Sequence, residues 1–225
     1  LEDTYVDTFR KVLKSGSYCL GPWVTEFEAA CRGYLAAEHA LGVSSGTDAL
    51  LLAMMALDIG PGDEVICPTY TFFASAGTIW RLGAKPVFVD AEPHTGNIDI
   101  DQIEEAITSN TKALSLVHYL GMPVDMDRIN EIAQKHGLFV VEDSALAFGT
   151  QYKGVHAGLL GDIGLFSMYP VKHITTLEGG LVLSKHPEIL EKIALQRAFG
   201  VDRTHGERKV PGQYDVNLLG FNYRM

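Results

Sequence analysis

From Ala40 onward, short apolar runs alternate with amphipathic stretches, and that alternation predicts parallel strands joined by crossover helices. Strands are expected over 40–43, 64–67, 86–89, 113–118, 138–141, 163–167 and 180–184. The intervening periodicity predicts helices over 48–57, 74–82, 99–107, 126–136 and 188–197, with Gly137 as a helix stop. After Gly149 the pattern loosens around Gly154, Gly158 and Gly161, which implies a less regular, partly antiparallel end to the sheet. Ahead of this block, 5–13 and 24–35 have the spacing of two amphipathic helices, the second opened by Gly21-Pro22. No internal repeat or linker interrupts the chain. The division that follows is an N-terminal helical segment, 1–36, packing on one large α/β domain, 37–225, whose sheet is mainly parallel but mixed.

Composition narrows the function. With 225 residues, 47% of them hydrophobic, the chain can bury a sizeable core. A formal net charge of −10 and a pI near 5.2 argue against a nucleic-acid or anionic-membrane surface, while leaving room for a local anion pocket. Cys19, Cys31 and Cys67 are an odd set without metal-ligand spacing, so neither a disulfide frame nor a metal site is expected and a reducing cytoplasm fits best. No apolar run has membrane length. The chain begins without methionine and ends on an aromatic and basic run, Gly220 to Met225, without a domain-ending signal; further sequence is expected on both sides.

Four features carry chemistry. Lys172 is a lone lysine framed by hydroxyls and glycines, which suggests a buried amine; desolvation of that kind turns an amine into a Schiff-base nucleophile. Ser44-Ser45-Gly46-Thr47-Asp48 follows the first strand of the block and opens its helix, where free N–H groups and hydroxyls either bind an anion or merely cap the helix. Asp143 ends an apolar strand, at the edge where open α/β sheets bind ligands, and a carboxylate there can keep a heterocyclic nitrogen protonated or cap the following turn. Glu142 competes with it, but strand alternation turns the two to opposite faces. Phe72 can cover a flat ring or serve as core, Ser167 adds a hydroxyl, and His118 reads as structural. A phosphate cradle, a carboxylate, an aromatic lid and an amine are together what pyridoxal 5′-phosphate requires.

The order SSGTDAL, PTYTFFASA, VEDSA and FSMYPVKHITTLEGG, supported by GPWVTEFE, GPGDEVICP, GAKPVFVD, GMPVDMDRI and LGFNYRM, closely resembles the DegT-type sugar-nucleotide aminotransferases over essentially the whole chain. That resemblance implies a fold-type I large domain, a three-layer α/β sandwich whose smaller C-terminal companion domain is missing from this sequence. It implies Lys172 as the Schiff-base lysine, Asp143 on the ring nitrogen and Phe72 on the ring face. Gly46, Thr47, Asp48 and Ser167 would hold the phosphate, and Asn222 or Arg224 would reach it from a neighbouring subunit, hence a homodimer. It further implies an amino-acid donor, L-glutamate by analogy, a nucleotide-linked keto-sugar acceptor, and pyridoxamine 5′-phosphate as the second cofactor form.

Three positions depart from the family pattern. Leu146 stands where the family has Gln or His and cannot make the usual hydrogen bond to the ring hydroxyl. His173 adjoins the lysine, which raises the dehydratase offshoot in which histidine replaces lysine, but Ser167 and Thr175-Thr176 keep the family's separations from Lys172. Leu177, where glycine is frequent, reads as a minor change. The alternatives are a dehydratase or another lyase of the same fold, and a non-catalytic regulatory homologue.

Overall fold

The computed structural model describes residues 2–202, 210 and 212–225. Seven strands form one sheet in the order β1-β9-β8-β5-β4-β2-β3, where β1 is Ala40–Val43, β2 Glu64–Pro68, β3 Lys85–Val89, β4 Thr111–Val117, β5 Phe139–Asp143, β8 Ile163–Ser167 and β9 Gly180–Ser184. From β3 to β8 every pairing is parallel, and β9 runs antiparallel to both β8 and β1. All strands but β9 therefore end at the same edge. Helices cover both faces: α3 (Gly46–Ala56), α4 (Ala74–Arg81) and α7 (Pro187–Gln196) on one, α6 (Met126–His136) on the other, as the separate core clusters around Leu52 and Ile129 show. This is the mainly parallel, mixed α/β sandwich expected from the alternation.

Helix α3 is apolar on all sides and almost wholly buried, so it occupies the centre of its layer. Helix α6 is instead amphipathic: it buries Met126, Ile129 and Ala133, starts on the Asp125 side chain and stops at Gly137, whose φ of 68° suits glycine.

The N-terminal segment has two unlike halves. Helix α2 (Pro22–Leu35) places Cys31 and Leu35 against Phe166 and Leu181, and its Glu28 carboxylate accepts from Arg197 Nη1 at 2.7 Å and from the Gly42 N–H at 2.8 Å. Helix α1 (Glu2–Ser15) buries no residue, and Tyr5 and Phe9 on it are about two-thirds exposed.

Two local expectations differ from the structure. The helix expected over 99–107 is a 3-10 turn, Ile100–Gln102, followed by the four-residue α5, Ile103–Ala106, with Ile103 as its one wholly buried anchor. The glycine-rich stretch holds a hairpin, β6 (Gln151–Tyr152) with β7 (Val155–His156), whose turn residues Lys153 and Gly154 have φ of 50° and 85°, the left-handed pair that matches strand twist.

Candidate active site

Where the parallel strands end, β1 runs into Ser44, β4 into His118, β5 ends on Asp143 and β8 on Ser167, so the motifs picked out along the chain meet at one edge. Asp143 is buried and makes two hydrogen bonds: its Oδ1 accepts from the Ala145 N–H at 3.1 Å and its Oδ2 from the Ser75 hydroxyl at 3.0 Å. Burial pushes this carboxyl above the ordinary aspartate range, against the opposing pull of those bonds and of the Lys172 charge. Glu142, its neighbour, points the other way, as strand alternation requires. It accepts from His118 Nε2 at 2.8 Å and from the N–H groups of Gly158, Leu160 and Gly161. His118 is therefore structural.

Lys172 lies in the loop between β8 and β9. The structure corrects the expectation of a buried amine: Lys172 is half-buried, because most of this loop stands out from the sheet, with Val171 and Leu177 each more than three-quarters exposed. It is nevertheless the only one of residues 171–178 that is not exposed, and it feels the Asp143 charge.

The helix-opening segment forms the second corner. Ser45 caps α3 by accepting from the Asp48 N–H, and the Asp48 carboxylate accepts from both the Ser44 and Ser45 hydroxyls at 2.6 and 2.9 Å. Asp48 thus braces the loop, and the first-turn N–H groups of Gly46 and Thr47 have no acceptor within the helix. Ser167 packs directly on this turn: a methyl on Gly46 would stand 2.8 Å from the Ser167 Cβ. Gly180 closes the corner from β9, where a Cβ would approach the Ser45 carbonyl oxygen to 2.4 Å.

Phe72 is 77% exposed at the end of the loop after β2, three residues before Ser75. Asn222 and Arg224 lie in a terminal run laid beside β1, where the Ser44 N–H donates to the Tyr223 carbonyl. Arg224 donates to Asn222 Oδ1 at 2.9 Å and stacks over Phe199. Leu146 is half-buried and offers no polar side-chain atom to the site.

Two features escape a reading of the residues alone. Ser75 reaches Asp143 from helix α4, and the available signal was only a hydroxyl pair, Thr71 and Ser75, four residues apart at a helix opening. Leu177 adopts φ of 71°, so the replacement of glycine there is a strained backbone position and more than a minor change.

A sheet of this order, with an amine, a buried carboxylate and a helix N-terminus at its carboxyl edge, defines the large domain of the fold-type I transferases. The chain belongs to the DegT/DnrJ/EryC1/StrS aminotransferase family, whose model matches residues 1–225. It is 42% identical over 216 residues to a pleiotropic regulatory protein of Geobacillus stearothermophilus, covering 96% of this chain and 56% of that one. It is 43% identical over 206 residues to the GDP-perosamine synthase of Caulobacter vibrioides, covering 92% of this chain and 54% of the relative. The X-ray structure of the aminotransferase from Psychrobacter cryohalolentis superposes with a TM-score of 0.91 at 36% identity, over 98% of this chain and 57% of that chain. The chain thus spans little more than half the length of the relatives it matches. Among the described residues, no helix is long and apolar enough to cross a membrane and no cluster of His, Cys, Asp and Glu could hold a metal ion.

Proposed function

We propose that the chain is the cofactor-binding part of a homodimeric, cytoplasmic sugar-nucleotide aminotransferase. It would move an amino group from an amino-acid donor, L-glutamate in this reading, to a keto-sugar carried on a nucleotide diphosphate. The observation that carries the proposal is the convergence of the Lys172 amine, the buried Asp143 carboxylate and the Gly46–Ser167 corner at one sheet edge.

The donor set fits pyridoxal 5′-phosphate, which supplies an aldehyde for amine exchange and a protonated ring that withdraws electrons from the bound substrate. Lys172 would hold the cofactor through Nζ, and its amine would serve as the base and acid that moves a proton at the substrate carbon. Asp143 would keep a proton on the ring nitrogen. The N–H groups of Gly46 and Thr47 and the Ser167 hydroxyl would bind the phosphate, with Asp48 holding that turn in shape. Phe72, exposed beside the site, would cover the ring, and Asn222 or Arg224 would complete the phosphate site of a partner subunit.

A regulatory, non-catalytic role is the second reading, favoured by the similarity to the pleiotropic regulatory protein of Geobacillus stearothermophilus and by Leu146. The test is to add pyridoxal phosphate to the full-length protein, reduce with borohydride and map the labelled peptide. A pyridoxyl group on Lys172, together with loss of amino transfer in Lys172→Ala, is expected. Binding without a label on Lys172 would point to the dehydratase-like chemistry instead, and no binding at all to the regulator.

A further inference from the structure

We infer that Thr71 and Ser75 are positioning residues, a hydroxyl relay that locks the Asp143 carboxylate in one rotamer and so sets how tightly a protonated heterocycle is held at this edge. The inference rests on the cofactor reading above for its ligand, and on the geometry of this chain for its mechanism.

Ser75 is wholly buried, and among the described residues it is the one side chain that hydrogen-bonds Asp143. An ionised carboxylate only accepts, so the single Ser75 proton points at Oδ2. The Ser75 oxygen then accepts from Thr71, whose Oγ1 lies 2.8 Å away. Thr71 thereby pins the rotation of Ser75, and Ser75 pins Asp143. The Ala145 N–H holds the other carboxylate oxygen at 3.1 Å, leaving the remaining lone pairs of both oxygens for a ligand. Thr78, one turn further along α4, behaves as helix hydroxyls ordinarily do and returns its proton to the Ala74 carbonyl at 2.9 Å. Ser75 instead sends its proton out of the helix to β5. With no other described side chain bonded to it, the relay is the polar support that side chains give to this carboxylate.

The test uses Ser75→Ala, Ser75→Thr and Thr71→Val in the full-length protein. Two readouts are followed: the Asp143 carboxyl titration by carbon-13 NMR without cofactor, and the affinity for pyridoxal phosphate by fluorescence quenching. Ser75→Ala is expected to raise the titration midpoint by about one pH unit, through loss of a bond that favours the ionised form, and to weaken pyridoxal phosphate binding up to about tenfold, through loss of the fixed carboxylate rotamer. Ser75→Thr should restore both, and Thr71→Val should move both the same way by about threefold. Thr71 is half-buried and, among the described residues, its side-chain hydrogen bond is to Ser75, so it decides the matter if Ser75→Ala does not fold. Unchanged titration and affinity in the variants would overturn the relay. If the wild type binds no pyridoxal phosphate the functional proposal falls, and the cofactor-free titration still judges the relay on its own.

Discussion

His118 and Glu142 meet at 2.8 Å, Nε2 to Oε2, with neither side chain exposed. The Val124 N–H donates to His118 Nδ1 at 3.1 Å, which makes Nδ1 the acceptor and assigns the ring proton to Nε2. The pair ties the end of β4 to β5 and, through the N–H groups that Glu142 collects, to the glycine-rich loop before β8. It therefore holds three of the site's strands in register from the face opposite Asp143.

Removing one partner leaves a buried anion without its donor. His118→Ala is expected to lower stability by about 3 kcal/mol, read by urea unfolding of the full-length protein. A loss below about 1 kcal/mol would mean that the backbone N–H groups alone satisfy Glu142.

Asp143 carries the opposite sign. Its carboxyl sits above the ordinary range because of burial, so as pH rises past about 3.9 the unfolded chain ionises freely while the folded one resists. Stability contributed at this position is present at low pH and is lost as pH rises through the folded value. In the cofactor-free protein, Asp143→Asn removes that loss, and its amide can still pair with Ser75 and Ala145. Thermal unfolding at pH 7 should show a gain on the order of 1 kcal/mol, with amino transfer abolished. A destabilised variant would contradict the assigned direction.

Leu177 gives a second stabilising change. Its backbone is left-handed and its side chain 76% exposed, so Leu177→Gly relieves strain and surrenders little burial. The expected gain is about 1 kcal/mol at most, or a few degrees in the unfolding midpoint. An unchanged or lower midpoint would show that the added freedom of the unfolded chain outweighs the relief.

Gly180 is held by space. A methyl there would press on the backbone of Ser45 and Gly46, which cannot retreat without opening the first turn of α3. Gly180→Ala is expected to weaken pyridoxal phosphate binding by at least tenfold, measured by fluorescence quenching, and to lower the unfolding midpoint. Wild-type affinity would separate this corner from phosphate binding.

The three thiols should react unequally. Cys19 is exposed, whereas Cys31 and Cys67 are buried, with burial pushing their thiols up to about 11 and about 12. Native labelling with a disulfide reagent, read by mapping the labelled peptides, is expected to find Cys19 fast and Cys31 and Cys67 reactive only on denaturation. Rapid reaction at Cys31 would indicate that α2 detaches from the sheet.

The strands were legible because each is a short apolar run bounded by turn residues, and a sheet covered on both faces requires that pattern. Gly46, Asp143 and Ser167 were legible for a related reason: each closes a strand or opens a helix, and parallel crossover topology brings such positions to one edge. The helix over 99–107 is shorter than its apolar period implies: Ile100, Ala106 and Ile107 pack on the core beside the wholly buried Ile103, but the backbone is already extended at Ile107. What the sequence by itself determined was thus the alternation of strands and helices and which residues, Lys172, Asp143 and the turn that opens α3 among them, stand at or beyond the carboxyl edge of the sheet. Only the tertiary structure decided which strand of the partly antiparallel end, β9, runs against its neighbours, that Lys172 is half-buried, that Ser75 supports Asp143, and that Leu177 is strained. Those outcomes depend on contacts between segments far apart in the chain and on backbone angles set by the closure of a loop. Local periodicity carries neither kind of information.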